Sequence, residues 1–195
     1  TNYISALGYG SEDESLLKKF WPADVQIMGK DILRFHALIW PAMLLSAELP
    51  LPKNILVHGM ITSGGVKMSK SIGNVIDPME VINEFGVEAL RYYVAREIST
   101  FEDGDMTLER FKEAYNANLA NGLGNLVARI MKMASSNLDG AVNVGDTKVP
   151  EKYTELLEAF EIQKTANFVW DYIQDLDKTI QEKEPFKLIK QDREA

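Results

Sequence analysis

Lys67-Met68-Ser69-Lys70-Ser71 sets two lysines three residues apart, with hydroxyls between and beside them and glycines on both sides at Gly64-Gly65 and Gly73. A lysine ammonium is a compact positive charge, a serine hydroxyl gives and takes hydrogen bonds, and a glycine-flanked loop can close over a ligand. That set suits a polyphosphate. A Lys-x-x-Lys pair alone also describes a solvated basic loop; the whole pentapeptide, one hairpin beyond a strand, is the more specific pattern. Gly29 and Asp31 form a second candidate. Glycine lets a ligand approach the backbone, and a carboxylate can hold ribose hydroxyls at the carboxyl end of a parallel strand. The other reading is a helix start with Asp31 as a plain cap. His36 and Trp40, four apart, share one helix face, as core packing or as the wall of a pocket. Asn125 and Arg129, also four apart, put an amide and a guanidinium side by side. Such a pair either reads base edges in a single-stranded loop or lines an ordinary polar face. His58-Gly59 ends a strand and either shapes a nucleotide site or packs in the core.

The elements that must position these residues follow from the hydrophobic pattern. Val25, Ile27 and Met28 form a short run ending at Gly29, and a helix is expected from Asp31 through Leu44. Pro41 lies inside that helix and should kink or divide it. Ile55-Leu56-Val57 reads as the next strand, buried on both faces. Strand, helix and strand in this order are the grammar of a parallel sheet. Two strands make no stable sheet, so the rest of it is expected outside this chain. Residues 61–75 read as an exposed loop, Asp77-Pro78 as the N-cap and first turn of a short helix closed by Gly86, and Val87 to Glu97 as a helix with Leu90, Tyr93 and Val94 on one face. From Thr107 the pattern is helical. Leu119, Leu123, Leu126, Ile130 and Met133 form one apolar stripe. Asn137 to Gly145 is a turn region, a long helical pattern opens at Pro150, and Pro185 stops it. The expected fold class is α/β plus all-α. Residues 1–60 form an α/β part, 61–106 a loop-and-helix subdomain, and 107–195 a helix bundle.

The chain has 195 residues, 46% hydrophobic and 26% charged, with a net charge of −8 and no cysteine. Disulfides, cysteine-ligated zinc and a cysteine nucleophile are therefore excluded. The two histidines, His36 and His58, make a poor metal site, and no apolar run is long enough to span a membrane. A net negative chain carries no general basic coat for DNA. Segment 151–195, with eleven acidic and seven basic residues, reads as a solvated surface facing away from RNA. The opening Thr1-Asn2-Tyr3-Ile4 has neither the basic nor the apolar region of a signal peptide, and without a Met it is expected to belong to a processed or excised piece.

Taken in order, these motifs resemble the class I aminoacyl-tRNA synthetases and, within them, the methionyl-tRNA synthetase family. Lys67–Ser71 matches the KMSKS signature. Gly29-Lys30-Asp31-Ile32, Arg34-Phe35-His36, Trp40-Pro41, His58-Gly59, Leu90-Arg91-Tyr92-Tyr93 and Asn121 through Arg129 follow in the family's order. The resemblance runs over essentially the whole chain, but the family's HIGH signature and its metal-binding knuckle are absent. It implies the second half of a Rossmann-type catalytic domain (1–60), a KMSKS stem-contact subdomain (61–106) and an incomplete anticodon-binding bundle (107–195). It also implies a C-terminal fragment that is catalytically silent alone. The implied reaction is ATP-dependent activation of methionine to methionyl-adenylate, then transfer to tRNA(Met), in the cytoplasm. Mg²⁺ would come with the ATP, held mainly by phosphate oxygens, with no zinc site in this chain.

By the same resemblance Lys67 and Lys70 are catalytic. Gly29, Asp31, His58, Lys67, Met68, Ser69, Lys70 and Ser71 bind ATP, and Tyr3, Phe35, His36 and Trp40 bind methionine. A thioether is apolar and polarizable, so aromatic walls and one weak hydrogen-bond donor suit it. Asn125 and Arg129 match the family's Asn-Leu-x-x-Arg anticodon helix. Pro185-Phe186 stands where the family often has Pro-Trp; Phe186 still stacks on a base, with less area and no indole N–H. The alternatives are a non-catalytic RNA-binding helical module and a class I synthetase of another specificity. Neither DNA nor a membrane is an expected partner, and the oligomeric state does not follow from the sequence.

Overall fold

A computed structural model describes residues 2–143, 145 and 147–191; Val144, in the expected turn region, lies outside them. The chain divides into two compact units, Thr1–Met60 with Phe101–Asp103, and Ile61–Thr100 with Gly104–Ala195.

In the first unit, α1 (Asn2–Ser5) and α2 (Ser15–Phe20) precede β1 (Gln26–Gly29). After β1 the expected single helix is three segments: a 3₁₀ turn Lys30–Ile32, a π-helical turn Phe35–Ile39, and α3 (Trp40–Ser46). The cause is Pro41. It has no N–H to donate to the carbonyl four residues back, and the helix widens just before it, where the Trp40 N–H reaches the Phe35 carbonyl. β2 (Ile55–His58) pairs parallel with β1 from Gln26↔Ile55 to Gly29↔His58. This sets Gly29 and His58 side by side at the carboxyl ends of both strands. β2 is half-buried, not buried on both faces as its apolar run suggests, and Ile27 on β1 is 62% exposed. The core is Ile4, Leu17, Trp40 and Leu44, flanked by Leu7, Trp21 and Leu49.

The second unit begins with a hairpin, β3 (Ile61–Ser63) and β4 (Val66–Lys67). Gly64 and Gly65 turn it with φ of +63° and +74°, the two positive values that a tight hairpin turn needs and that glycine adopts without strain. β5 (Gly104–Asp105) adds to β3 in parallel, giving the order β4-β3-β5. Between them lie α4 (Pro78–Phe85), capped by the Asp77 carboxylate accepting from Met79 N–H at 2.8 Å, and α5 (Val87–Arg96). α6 (Leu108–Ala114) follows β5. The buried cluster Val81, Ala89, Tyr93, Ile98, Met106 and Phe111 joins these elements. Its aromatic rings meet edge-on, Phe85 against Phe111 at 5.1 Å and against Tyr115 at 5.3 Å. α5 buries Ala89 and Tyr93, while Val94, expected on the same face, is 42% exposed.

A π-helical segment, Tyr115–Gly124, runs into α7 (Asn125–Asn137). The expected stripe carries through both segments: Leu126 is buried and Leu119, Leu123, Ile130 and Met133 are half-buried, while Asn125, Val127, Ala128, Arg129, Met131 and Lys132 are exposed. After α8 (Glu151–Glu158) comes the long α9 (Ile162–Lys183), which ends at Glu184 in the left-handed region ahead of α10 (Pro185–Gln191). Arg96 of α5 holds α9. Its guanidinium lies 4.9 Å from the Trp170 ring centre and donates to Asn167 Oδ1 at 3.1 Å, and Gln163 Nε2 donates to its carbonyl at 2.9 Å. Among the described residues no helix is long and apolar enough to cross a membrane.

Candidate functional site

The carboxyl ends of β1 and β2 bring Gly29, Asp31 and His58 to one corner of the first unit. A Cβ on Gly29 would lie 2.9 Å from Asp31 Oδ1, 3.6 Å from His58 Cε1 and 3.7 Å from Met60 Sδ. The space left by the missing side chain is therefore framed by a carboxylate, an imidazole and a thioether. Asp31 is exposed and makes no hydrogen bond or ion pair among the described residues, so its oxygens are available to hydroxyl donors. His58 Nδ1 lies 2.8 Å from the Gly59 carbonyl, which only accepts, so Nδ1 carries the proton and Nε2 of the neutral ring is an acceptor. Sequence reasoning left Met60 out of this corner because only the parallel register brings it beside Gly29.

Three of the four residues assigned to an aromatic pocket come together. The Tyr3 hydroxyl lies 2.8 Å from His36 Nε2, and the Tyr3 ring lies 5.7 Å from His36 and 5.8 Å from Trp40. His36 Nδ1 is 3.1 Å from the Ile32 carbonyl. Trp40 is buried, with its indole N–H unpartnered among the described residues. Phe35, by contrast, is 57% exposed.

In the second unit Lys67 closes β4, so the lysine loop springs directly from the hairpin. Asn74 pins it: Ser69 N–H donates to Asn74 Oδ1 at 2.8 Å, and Asn74 Nδ2 donates to the Lys67 carbonyl at 3.2 Å. Ser69 and Ser71 share a hydroxyl hydrogen bond at 2.7 Å. Lys67 and Lys70 are exposed, whereas Met68 is half-buried against the hydrophobic cluster. The Met68 side chain thus anchors the loop to the second unit's core. Behind the loop, Asp105 takes Gly65 N–H at 2.8 Å and the Thr62 hydroxyl at 3.0 Å, and its other oxygen pairs with Arg110 at 3.2 Å. The Gly65 amide bond, aided by Thr62 and Arg110 against partial desolvation, holds this carboxyl below its ordinary value.

Asn125 and Arg129 line a groove of about 270 Å³ whose far wall is α9, through Trp170, Gln174 and Asp177. Arg129 donates to Asp177 Oδ1 at 3.1 Å, and Gln181 donates to Asp177 Oδ2 at 2.7 Å. Arg129 also borders a mostly apolar groove with Ile130, Met133 and Phe186, which is 45% exposed. Segment 151–195, expected as a solvated surface facing away from RNA, supplies through Asp177 an ion-pair partner to Arg129. α9 packs on α5 and α8 and faces α7 across this groove, where Asp177 meets Arg129. No contiguous signal marks Asp177, because the pair spans 48 residues. Among the described residues no group of three or more histidine, aspartate and glutamate side chains is placed to hold a metal ion.

Parallel β1–α3–β2 connectivity is the mixed α/β architecture of a Rossmann-like class I synthetase. Residues 1–131 match the family model described as tRNA synthetases class I (M), and the chain belongs to that family. Among curated relatives, the methionine–tRNA ligase of Clostridium acetobutylicum is 43% identical over 203 residues, covering 97% of this chain and 32% of the relative. Methionine–tRNA ligase 1 of Bacillus anthracis is 41% identical over 204 residues, covering 97% and 31%. The chain thus spans about a third of the length of the curated relatives it matches. Methionyl-tRNA synthetase of Mycobacterium tuberculosis in complex with methionyl-adenylate superposes with a TM-score of 0.83 at 34% identity, covering all of this chain and 40% of that one. A second structure of the same protein bound by methionyl-adenylate gives 0.86 at 33% identity, with the same coverage.

Proposed function

We propose that this chain supplies the adenosine corner, the lysine loop and an anticodon-reading helix pair of a methionine–tRNA ligase. In this reading it works in ATP-dependent formation of methionyl-adenylate and transfer of the methionyl group to tRNA(Met) in the cytoplasm. The observation that carries the reading is the Lys67–Ser71 loop, whose two exposed lysines spring from a hairpin and whose backbone Asn74 brackets. The names of the relatives and the methionyl-adenylate in the similar structures supply the specificity.

In the first step the methionine carboxylate attacks the α-phosphorus of ATP and pyrophosphate leaves. No side chain needs to act as a nucleophile. Gly29, Asp31 and His58 hold the adenosine, and Lys67 and Lys70 meet the charge growing on the departing pyrophosphate, aided by Ser69 and Ser71. Tyr3, His36 and Trp40, with Phe35 at the rim, enclose the methionine side chain. The loop's donors are ammonium and hydroxyl groups, which suit phosphate oxygens; Mg²⁺ bound with the ATP would be held mainly by those oxygens and would supply further charge neutralisation. In this reading 1–60 is the catalytic half-domain, 61–106 the KMSKS subdomain and 107–195 the anticodon part. Asn125 and Arg129 read base edges and Phe186 stacks on a base.

The test is ATP–pyrophosphate exchange by the full-length gene product with each amino acid in turn. Exchange dependent on methionine, with tRNA(Met) charged in a second assay, is the expected result. Exchange with another amino acid, or none, overturns the reading. The 195-residue chain by itself is expected to give no exchange.

A further inference from the structure

Asp103 makes more contacts than an exposed carboxylate ordinarily does. Lys30 Nζ lies 2.6 Å from each of its oxygens, and the Met60 N–H donates to Oδ1 at 2.8 Å. Lys30 directly follows Gly29 at the end of β1, and Met60 lies two residues beyond His58 at the end of β2. One carboxylate thus ties together the carboxyl ends of two parallel strands from a segment 43 and 73 residues away in sequence. Its own placement is constrained, because a Cβ on Gly59 would overlap the Glu102 carbonyl. Only glycine there lets the 102–103 backbone cross the end of β2.

Stability does not account for this arrangement. The Lys30 and Asp103 side chains are 51% and 45% exposed, and exposed ion pairs add little to folding. The effect on the corner is more specific. Lys30 sits between Gly29 and Asp31, and its ammonium is drawn onto Asp103, while the neighbouring Asp31 carboxylate stays unpaired among the described residues. The bonds from Lys30 and the Met60 amide also hold the Asp103 carboxyl below its ordinary value, which keeps it ionised for both tasks.

We propose that Asp103 is a positioning residue for nucleotide binding: it draws Lys30 off Asp31 and fixes the Met60 amide, so that Asp31 is free to accept the ribose hydroxyls beside Gly29 and His58. The proposal rests on the adenylate-forming reading above. It adds Asp103 and Lys30 to the residues that set the affinity for ATP, and it separates them from those that set the affinity for methionine.

The experiment is steady-state pyrophosphate exchange by the full-length gene product, varying ATP and methionine separately, with thermal melting on the same preparations. Asp103→Asn keeps an acceptor for Met60 N–H but loses the charge that holds Lys30. Its KM for ATP should rise by about tenfold, short of the 10²-fold that a full ångström of misplacement can cost. The KM for methionine and the melting temperature should hardly move. In Asp103→Asn/Lys30→Met the KM for ATP should be no higher than in the single variant, since the lysine no longer has Asp31 to mask. Equal rises in both KM values with a lowered melting temperature would make Asp103 merely structural. An unchanged KM for ATP, or a further rise in the double variant, would also overturn the proposal. Wild-type protein without methionine-dependent exchange would instead refute the underlying reading, a result distinguishable from all of these.

Discussion

The Tyr3 hydroxyl donates its hydrogen bond to His36, and not the reverse. His36 Nδ1 faces the Ile32 carbonyl at 3.1 Å, so the proton of the neutral ring is on Nδ1, and Nε2 accepts from Tyr3 at 2.8 Å. The one weak donor expected for a thioether is therefore already engaged within the pair. In the proposed methionine-binding reading, selection of an apolar, polarizable side chain falls to the rings of Tyr3 and Trp40, whose centroids are 5.8 Å apart.

Tyr3→Phe keeps the ring and removes the bond that orients His36. A hydrogen bond of this kind contributes about 1 kcal/mol, so the KM for methionine should rise roughly fivefold. The KM for ATP should stay put. Exchange kinetics with each substrate varied will check both, and a change confined to ATP would place the pair outside the methionine pocket.

Lys70→Ala in the full-length gene product should slow adenylate formation by roughly 10²-fold, about 2–4 kcal/mol of barrier, because the lost ammonium meets charge that develops only as pyrophosphate leaves. Pre-steady-state measurement of adenylate formation, beside equilibrium binding of methionine, is the check. A variant with weaker methionine binding and a normal rate contradicts the assignment.

Arg129→Ala removes the ion pair with Asp177, whose partners are 42% and 35% exposed. Pairs exposed to this extent contribute about 1 kcal/mol or less, so thermal melting should change little. Charging of tRNA(Met) should nonetheless fall, by the roughly 1–3 kcal/mol that a base-edge contact carries in direct readout. Exchange without tRNA should be unaffected. Parallel loss of both activities would make Arg129 structural.

Asp105 gives the lysine hairpin a pH dependence. Its carboxyl is held below the ordinary 3.8, chiefly by the Gly65 amide. The folded value lies below the unfolded one, so its contribution is fully present above about the unfolded value and is lost as pH falls through the folded one. Melting temperature followed from pH 6 to about pH 2 should therefore fall less steeply in Asp105→Asn than in the wild type. Coincident curves would show that the carboxylate does not support the hairpin.

The sequence by itself determined what depends on local chemistry. The Lys67–Ser71 loop, the Asp77 cap, the glycine turn at Gly64-Gly65 and the strand–helix–strand order are each dictated by residues within a few positions of one another. So was the family resemblance, since its motifs are contiguous runs. The tertiary structure decided what depends on residues far apart in the chain. Pro41 signalled an irregular helix, but only the packed chain shows that the irregularity is a π-helical turn at Phe35–Ile39. Tyr3 meets His36 across 33 residues, Asp103 meets Lys30 across 73, and Asp177 meets Arg129 across 48. A carboxylate on an acidic surface looks like any other until strand register and helix packing choose its partner. Hydrophobic periodicity marked the buried stripe from Leu119 to Met133, but not the buried face of β1, where Ile27 is 62% exposed. The charged neighbours that tune the candidate site were set by how those faces came together.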